Sequence, residues 1–250
     1  MILLLDIGNT RFKSAWLSGA ELQSQAPWMH DGALPAGLYD NWIRHTPPEA
    51  IWICNVGPAD LTADIRSFAE ARWQAPVFQL NARHRRAGVV NAYRQPDTLG
   101  ADRWAALLGA MSQRLAPCSI IDCGTALTLD ALDADGHHLG GQIVPGMRLM
   151  REALGLHTAG VGHHDASDRT PVFGRSTGEA VAAGVLQACL AAIREFHRHT
   201  AERLAPERPR LLLTGGDAPV LLKALSVLEP VHCPDLVLQG LAAAVGDSEA

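Results

Sequence analysis

Four apolar residues, Ile2 to Leu5, run into a carboxylate at Asp6, and the polarity then changes at once. Gly8, Asn9 and Thr10 follow, and Arg11 to Leu17 alternates polar and apolar positions. This predicts a buried strand, a tight turn and a second strand, a β-hairpin with a polar tip. Gly8 and Asn9 are residue types that tolerate turn backbone. The pattern returns at Ser119 to Asp122, with Gly124 and Thr125 next and an alternating run from Leu127 to Leu132. Asp122 falls close to half the chain length after Asp6, which points to two related domains.

Between the hairpins the periodicity predicts a short helix over 38–45, ended by Pro47 and Pro48. A strand over 50–56 follows, then a helix over 59–73 with Leu61, Ile65, Phe68 and Ala69 on one face. A short strand over 77–80 completes a parallel crossover unit. Residues 81–100 form a long loop, and long loops are often functional. The helix after it carries Asp102 and Arg103 at its start. Pro117 marks a change of domain, giving domains 1–117 and 118–250. In the second, a strand over 140–145 leads to a helix over 148–156 and a polar loop over 157–175. Ser176 and Glu179 then have capping-box spacing. They open a helix running to about His199, with a small-residue face of Ala180, Ala183, Gly184, Ala188 and Ala191. That face suits close helix packing, within the fold or across a dimer. A strand over 211–214, a short strand at Val231 and a closing helix over 235–245, capped by Asp235, end the pattern.

The hairpin tip has chemical possibilities. The Gly8 turn leaves room for a phosphate against backbone amides. Asp6 is placed to hold a hydrated Mg²⁺, and Thr10 and Lys13 can donate to phosphate oxygens. A plain polar tip is the alternative, but two such hairpins facing one cleft favour a nucleotide between them. Asp102 reads either as a first-turn acid complementing the helix dipole or as a base. Arg103 beside it suits bidentate binding of a carboxylate.

Composition narrows the class. Of 250 residues, 48% are apolar and 19% charged, a globular balance with ample core. A net charge of −5 argues against a nucleic-acid surface. The short basic run Arg83 to Arg86 reads as a solvated loop. No apolar run is long enough to span a membrane, and no signal peptide is visible. The five cysteines lack CxxC spacing and read as reduced thiols in a cytoplasmic protein. The pairs His137–His138 and His163–His164 lack metal-site spacing and are expected in loops.

Across nearly its whole length the chain resembles the type III pantothenate kinases, of the acetate kinase/Hsp70/actin superfamily. The resemblance is carried by Asp6 to Thr10 with Lys13, Gly100 to Arg103, Asp122 to Ala126 and Gly140 to Gly146. It continues through Ser176 to Glu179, Thr214 to Gly216 and Pro234 to Gly240. The Gly-x-Asp-Arg motif is what separates this family from its superfamily. The stretch Gly160 to Asp165 departs from the family pattern. The resemblance implies an α/β fold of duplicated actin-like (ribonuclease H-like) domains. Each is a mixed sheet with flanking helices, and the nucleotide lies in the cleft between them. It implies phosphorylation of pantothenate by ATP with Mg²⁺, the first step toward coenzyme A. By the same likeness Asp102 is the catalytic base. Asp6, Ile7, Gly8, Asn9, Thr10, Arg11, Phe12, Lys13 and Thr125 bind ATP. Tyr93, Gly100, Ala101, Asp102, Arg103 and Thr177 bind pantothenate, and Asp122 helps hold a monovalent cation, K⁺ or NH₄⁺. A cytoplasmic homodimer is also implied.

Two other functions compete. One is a non-catalytic, nucleotide-binding regulatory protein of the same fold, some relatives having been described as accessory factors. Retention of Asp6, Asp102, Arg103 and Asp122 together argues against it. The other is a kinase for a sugar or acyl group, which Arg103 and the short chain disfavour.

Overall fold

Two sheets with one strand order carry the fold. In the computed structural model, residues 1–158 and 172–247 are described. The first hairpin is β1 (Ile2–Ile7) and β2 (Arg11–Ser18), extended by β3 (Glu21–Ser24) and the two-residue β4 (Trp28–Met29). Next come α1 (Ala36–Trp42), β5 (Ala50–Asn55), α2 (Ala59–Arg72) and β6 (Val77–Gln79). The long loop contains β7 (Arg85–Arg86) and β8 (Val89–Val90) and ends at α3 (Ala101–Ser112). The second hairpin is β9 (Cys118–Cys123) and β10 (Ala126–Leu132), followed by β11 (His138–Pro145), α4 (Met147–His157) and α5 (Thr177–Leu204). Then β12 (Arg210–Thr214), α6 (Ala218–Ala224), β13 (Val231–His232) and α7 (Leu236–Gly246) complete the order.

The sheets run β3-β2-β1-β5-β6 and β11-β10-β9-β12-β13. In each, the hairpin is antiparallel and its first strand pairs in parallel with the strand beyond, β1 with β5 and β9 with β12. The half-chain repeat in the sequence is therefore a repeat of topology. Contacts divide the chain into two units. One holds Met1–Ala116, Ala134–Leu139 and Asp235–Ala250, the other Pro117–Asp133 and Gly140–Pro234.

Central strands have both faces covered, so they read as continuous apolar runs. Leu3, Leu4 and Leu5 of β1 are fully buried, as are Ile51 and Ile53 of β5. On α1, Leu38 and Trp42 lie one turn apart and both are fully buried. Trp42 packs against Phe12, Phe68 and Trp73, with ring centroids 5.8, 6.0 and 6.2 Å away. On α2, Leu61, Ile65 and Ala69 form the buried stripe the periodicity predicts.

The closing helix α7 packs on α3 within the first unit. Glycine makes this crossing possible. A Cβ at Gly109 would overlap the Leu236 carbonyl, and one at Gly240 would overlap the backbone of Ala105. The two helix backbones touch with no side chain between them.

Two local expectations change. Asp235 makes no capping bond to α7; its Oδ2 accepts from Ser24 Oγ at 2.9 Å, a tertiary partner that displaces the local one. Arg86 does not lie in a solvated loop. It is 8% exposed, donates to the Ala244 carbonyl at 2.6 Å and stacks over Trp52. It thereby satisfies an orphan carbonyl in the last turn of α7. The turn between β7 and β8 has positive φ at both Ala87 and Gly88, as a two-residue type I′ hairpin requires. The expected cap at Ser176 is present, its Oγ accepting from Glu179 N at 3.2 Å.

Within the second unit, Ser119 of β9 is fully buried, and its Oγ lies 3.0 Å from His197 Nδ1 on α5. Burial lowers the His197 pKa. The folded state thus binds fewer protons than the unfolded one as pH falls below the free imidazole value of about 6.5. Its contribution to stability is intact above that pH and is lost on acidification toward the folded pKa. His197→Gln is expected to flatten this acid-side slope, read from urea midpoints between about pH 7.5 and 5. Equal slopes in both proteins would count against the assignment. Among the described residues, no helix is long and apolar enough to cross a membrane.

Candidate active site

Register places the groups at the first hairpin tip. Ile7 faces Phe12 and Asp6 faces Lys13 across β1 and β2. Ile7 and Phe12 are fully buried. Because side chains alternate along a strand, Asp6 and Lys13 point together to the opposite face. The turn closes with Gly8 N donating to the Arg11 carbonyl at 2.9 Å. Gly57, just after β5, backs this turn, and a Cβ there would overlap the Gly8 carbonyl. Gly57 is itself held by Asn55, whose Oδ1 accepts from Gly57 N at 2.7 Å.

The second unit repeats the device. Asp122 faces Thr128 in register, and Gly124 N donates to the Ala126 carbonyl at 3.0 Å. Gly146 N donates to the Thr125 carbonyl at 2.9 Å. Gly215 follows β12 as Gly57 follows β5. Its φ is +89°, and a Cβ there would overlap Asp122 Oδ1. The Cys123 thiol is pushed well up, first by burial and then by the Asp122 and Asp217 carboxylates. It therefore stays protonated, a wall of the turn and not a nucleophile.

The third cluster lies at the end of the long loop. Asn91 is 4% exposed. Its Nδ2 donates to the carbonyls of Arg83 at 3.3 Å and Pro96 at 3.1 Å. Its Oδ1 accepts from Tyr93 N at 2.9 Å. So held, Tyr93 meets Arg103, whose Nη1 donates to the phenol oxygen at 2.6 Å. Arg103 is 5% exposed, and its guanidinium carbon lies 5.5 Å from the Tyr93 ring centre. The ring also stacks on His138, with centroids 6.0 Å apart and planes at 20°. Gly100 precedes α3, and Asp102 and Arg103 occupy its first turn. Asp102 Oδ1 accepts from Arg103 N at 2.7 Å. A Cβ at Gly100 would come within 2.7 Å of that same oxygen, so glycine leaves the carboxylate its place.

The structure thus brings Tyr93, Gly100, Asp102 and Arg103 together, with Ala101 the first residue of α3. Asp6 to Lys13 form a separate turn of the same unit. Asp122, Thr125 and Thr177 belong to the other unit, Thr177 as the first residue of α5. His163, His164 and the departing stretch Gly160 to Asp165 lie outside the described residues. The sequence reading missed Asn91 and Gly57, of which Gly57, in a Gly-Pro pair closing an apolar strand, gave a local signal. It singled out His138 but expected it in a loop; the residue opens β11 and is 3% exposed, stacked on Tyr93.

A family model described as type III pantothenate kinase matches residues 2–199. The chain belongs to that family. A type III pantothenate kinase of Nitrosococcus oceani is 36% identical over 261 residues, covering 99% of this chain and 95% of that one. The type III pantothenate kinase of Halorhodospira halophila is 39% identical over 249 residues, 96% of each. Among solved structures, a Campylobacter jejuni protein named as a conserved Baf family transcriptional activator aligns with TM-score 0.62 at 19% identity, over 99% of this chain and 98% of that one. A ROK hexokinase of Thermus thermophilus aligns with TM-score 0.52 at 16% identity, over 99% and 98%. At such identities these two likenesses speak to fold. They agree with an α/β fold of duplicated actin-like domains, each a mixed sheet with flanking helices.

Proposed function

We infer that this protein phosphorylates pantothenate with ATP, the first committed chemistry toward coenzyme A. The observation that carries this reading is the Gly100–Arg103 junction with Tyr93, in a chain whose family is established. Phosphoryl transfer asks a protein mainly to position groups and offset charge. Asp102 accepts the proton of the attacking hydroxyl as the new O–P bond forms. Arg103 pairs with the pantothenate carboxylate, its fork held in place by the Tyr93 hydroxyl. Gly100, Ala101 and Tyr93 complete the contacts to this substrate. The turn Asp6 to Lys13 presents amides and the Lys13 ammonium to the phosphates.

Among the described residues, no three His, Cys, Asp or Glu side chains are placed to hold a metal ion by themselves. Mg²⁺ is commonly held by one or two carboxylates together with substrate phosphates. Asp6, beside the Gly8 turn, is the carboxylate we assign to it, and the ion supplies charge neutralisation on the phosphates. Asp122 and Asp217 both raise the Cys123 pKa, so two carboxylates border the second turn. This supports a monovalent cation, K⁺ or NH₄⁺, at Asp122.

The small-residue face of α5 supports a homodimer. Ala180, Gly184, Ala188 and Ala191 are exposed on the single chain, whereas Ala183 packs inward. Sedimentation at the mass of two chains is expected, and a monomer at micromolar concentration would reject it. The five cysteines are free thiols, four of them buried, which agrees with a reducing, cytoplasmic setting.

ADP release, measured with MgATP and pantothenate in potassium or sodium buffer, tests the whole reading. Pantothenate-dependent turnover that requires potassium and is lost in Asp122→Asn is expected. Turnover indifferent to the cation would remove the role given to Asp122. A folded protein with no turnover would favour a regulatory function.

A further inference from the structure

His30 lies in a loop to which the sequence attached no chemistry, directly after the two-residue edge strand β4. Three hydrogen bonds fix it. Its backbone N donates to the Thr10 carbonyl at 3.1 Å. Its ring Nδ1 accepts from Gly32 N at 3.3 Å. Its ring Nε2 lies 2.9 Å from the Gly8 carbonyl. An Nδ1 that accepts a backbone N–H carries no proton, so in the neutral ring Nε2 holds it. The bond to Gly8 therefore runs from Nε2–H to the carbonyl.

One residue thus holds two carbonyls of the three-residue turn, Gly8 and Thr10. Cis geometry occurs only at Ala205–Pro206 among the described residues. In a trans peptide the C=O and N–H point in opposite directions. Fixing the Gly8 and Thr10 carbonyls toward His30 therefore turns the N–H groups of Asn9 and Arg11 the other way. Gly57 packs against the same Gly8 carbonyl, so this peptide is held by a donor and a steric wall together. Backbone N–H groups aligned on one side of a turn are what a phosphate requires.

We propose that His30 is a positioning residue of the phosphate-binding turn, orienting the Asn9 and Arg11 amides toward the nucleotide phosphates. This rests on the reading of Asp6 to Lys13 as the ATP cradle. The alternative is that His30 only closes the end of β4.

The test compares His30→Ala, His30→Gln and Lys13→Ala in the full chain, with KM for each substrate, kcat and melting temperature measured. Glutamine keeps an N–H donor able to reach the Gly8 carbonyl, whereas alanine keeps none. His30→Ala is expected to raise KM for ATP by about tenfold, leaving KM for pantothenate within about twofold. His30→Gln is expected to recover most of the loss. An unchanged KM for ATP in His30→Ala, beside a raised one in Lys13→Ala, overturns the role of His30 alone. No effect on KM for ATP in either His30→Ala or Lys13→Ala removes the cradle reading, and this proposal with it. Equal losses in both His30 variants, tracking a lower melting temperature, assign His30 to closure of the edge strand and also overturn the proposal.

Discussion

Asp102→Asn is expected to lower kcat for pantothenate phosphorylation by about 10²- to 10⁴-fold and to leave KM for ATP nearly unchanged. Asparagine has almost the shape of aspartate, so the first turn of α3 and the room made by Gly100 persist. What disappears is the capacity to take a proton. The amide oxygen still accepts a hydrogen bond from Arg103 N, so the turn keeps the contact that orients residue 102. A loss in kcat without a loss of melting temperature separates chemistry from folding. The contrast with ATP binding matters because the Asp6 to Lys13 turn is a separate element. If Asp102→Asn retains more than about a tenth of wild-type kcat, the base is another group.

Gly240→Ala is expected to destabilise the protein by about 3 kcal/mol, the second large effect. Alanine ordinarily favours a helix interior over glycine, so local propensity predicts the opposite sign. The difference lies in the crossing of α3 and α7. A methyl group at residue 240 falls on the backbone of Ala105, which no side-chain rotation can move. The helices must separate, and contacts of the buried Trp104, Leu108, Leu236 and Leu241 are weakened with them. Gly109→Ala attacks the same crossing from the other helix. The double variant is expected to cost less than the sum, because one separation relieves both clashes. Urea unfolding of the three variants decides it, and a stabilised Gly240→Ala would show that the helices adjust freely.

The strands and helices were largely legible because burial imposes a period. The apolar runs of β1, β5 and β12 announce strands covered on both faces, and Leu61, Ile65 and Ala69 announce one face of α2. The topological repeat was legible too, since each hairpin keeps a carboxylate, a glycine and a threonine in the same order. What escaped depends on partners distant in sequence. Asp235 has the residue type of a helix cap, but Ser24 from the first sheet competes for it. Arg86 sits in a basic run that looks solvated, yet the end of α7 and Trp52 bury it. The type I′ turn at Ala87–Gly88 was hidden because alanine rarely adopts positive φ. At the candidate site, Asp102 and Arg103 were visible from their place after a glycine at a helix start. The roles of Asn91 and His138 were not, because one comes from hydrogen bonds to the loop backbone around Tyr93 and the other from stacking on its ring.

The attachment of α7 to α3 also bears on how the chain is made. During synthesis, α3 emerges from the ribosome while α7 is still half a chain away. Until then the face of α3 around Ala105 and Gly109 lacks the helix that packs on it. Domains generally mature as units while the chain is being made. Here the first hairpin and its sheet can form early, but their unit is finished only once α7 has been made. A release event that stops short of Leu236 would leave an apolar helix face uncovered, a natural target for chaperones and proteases.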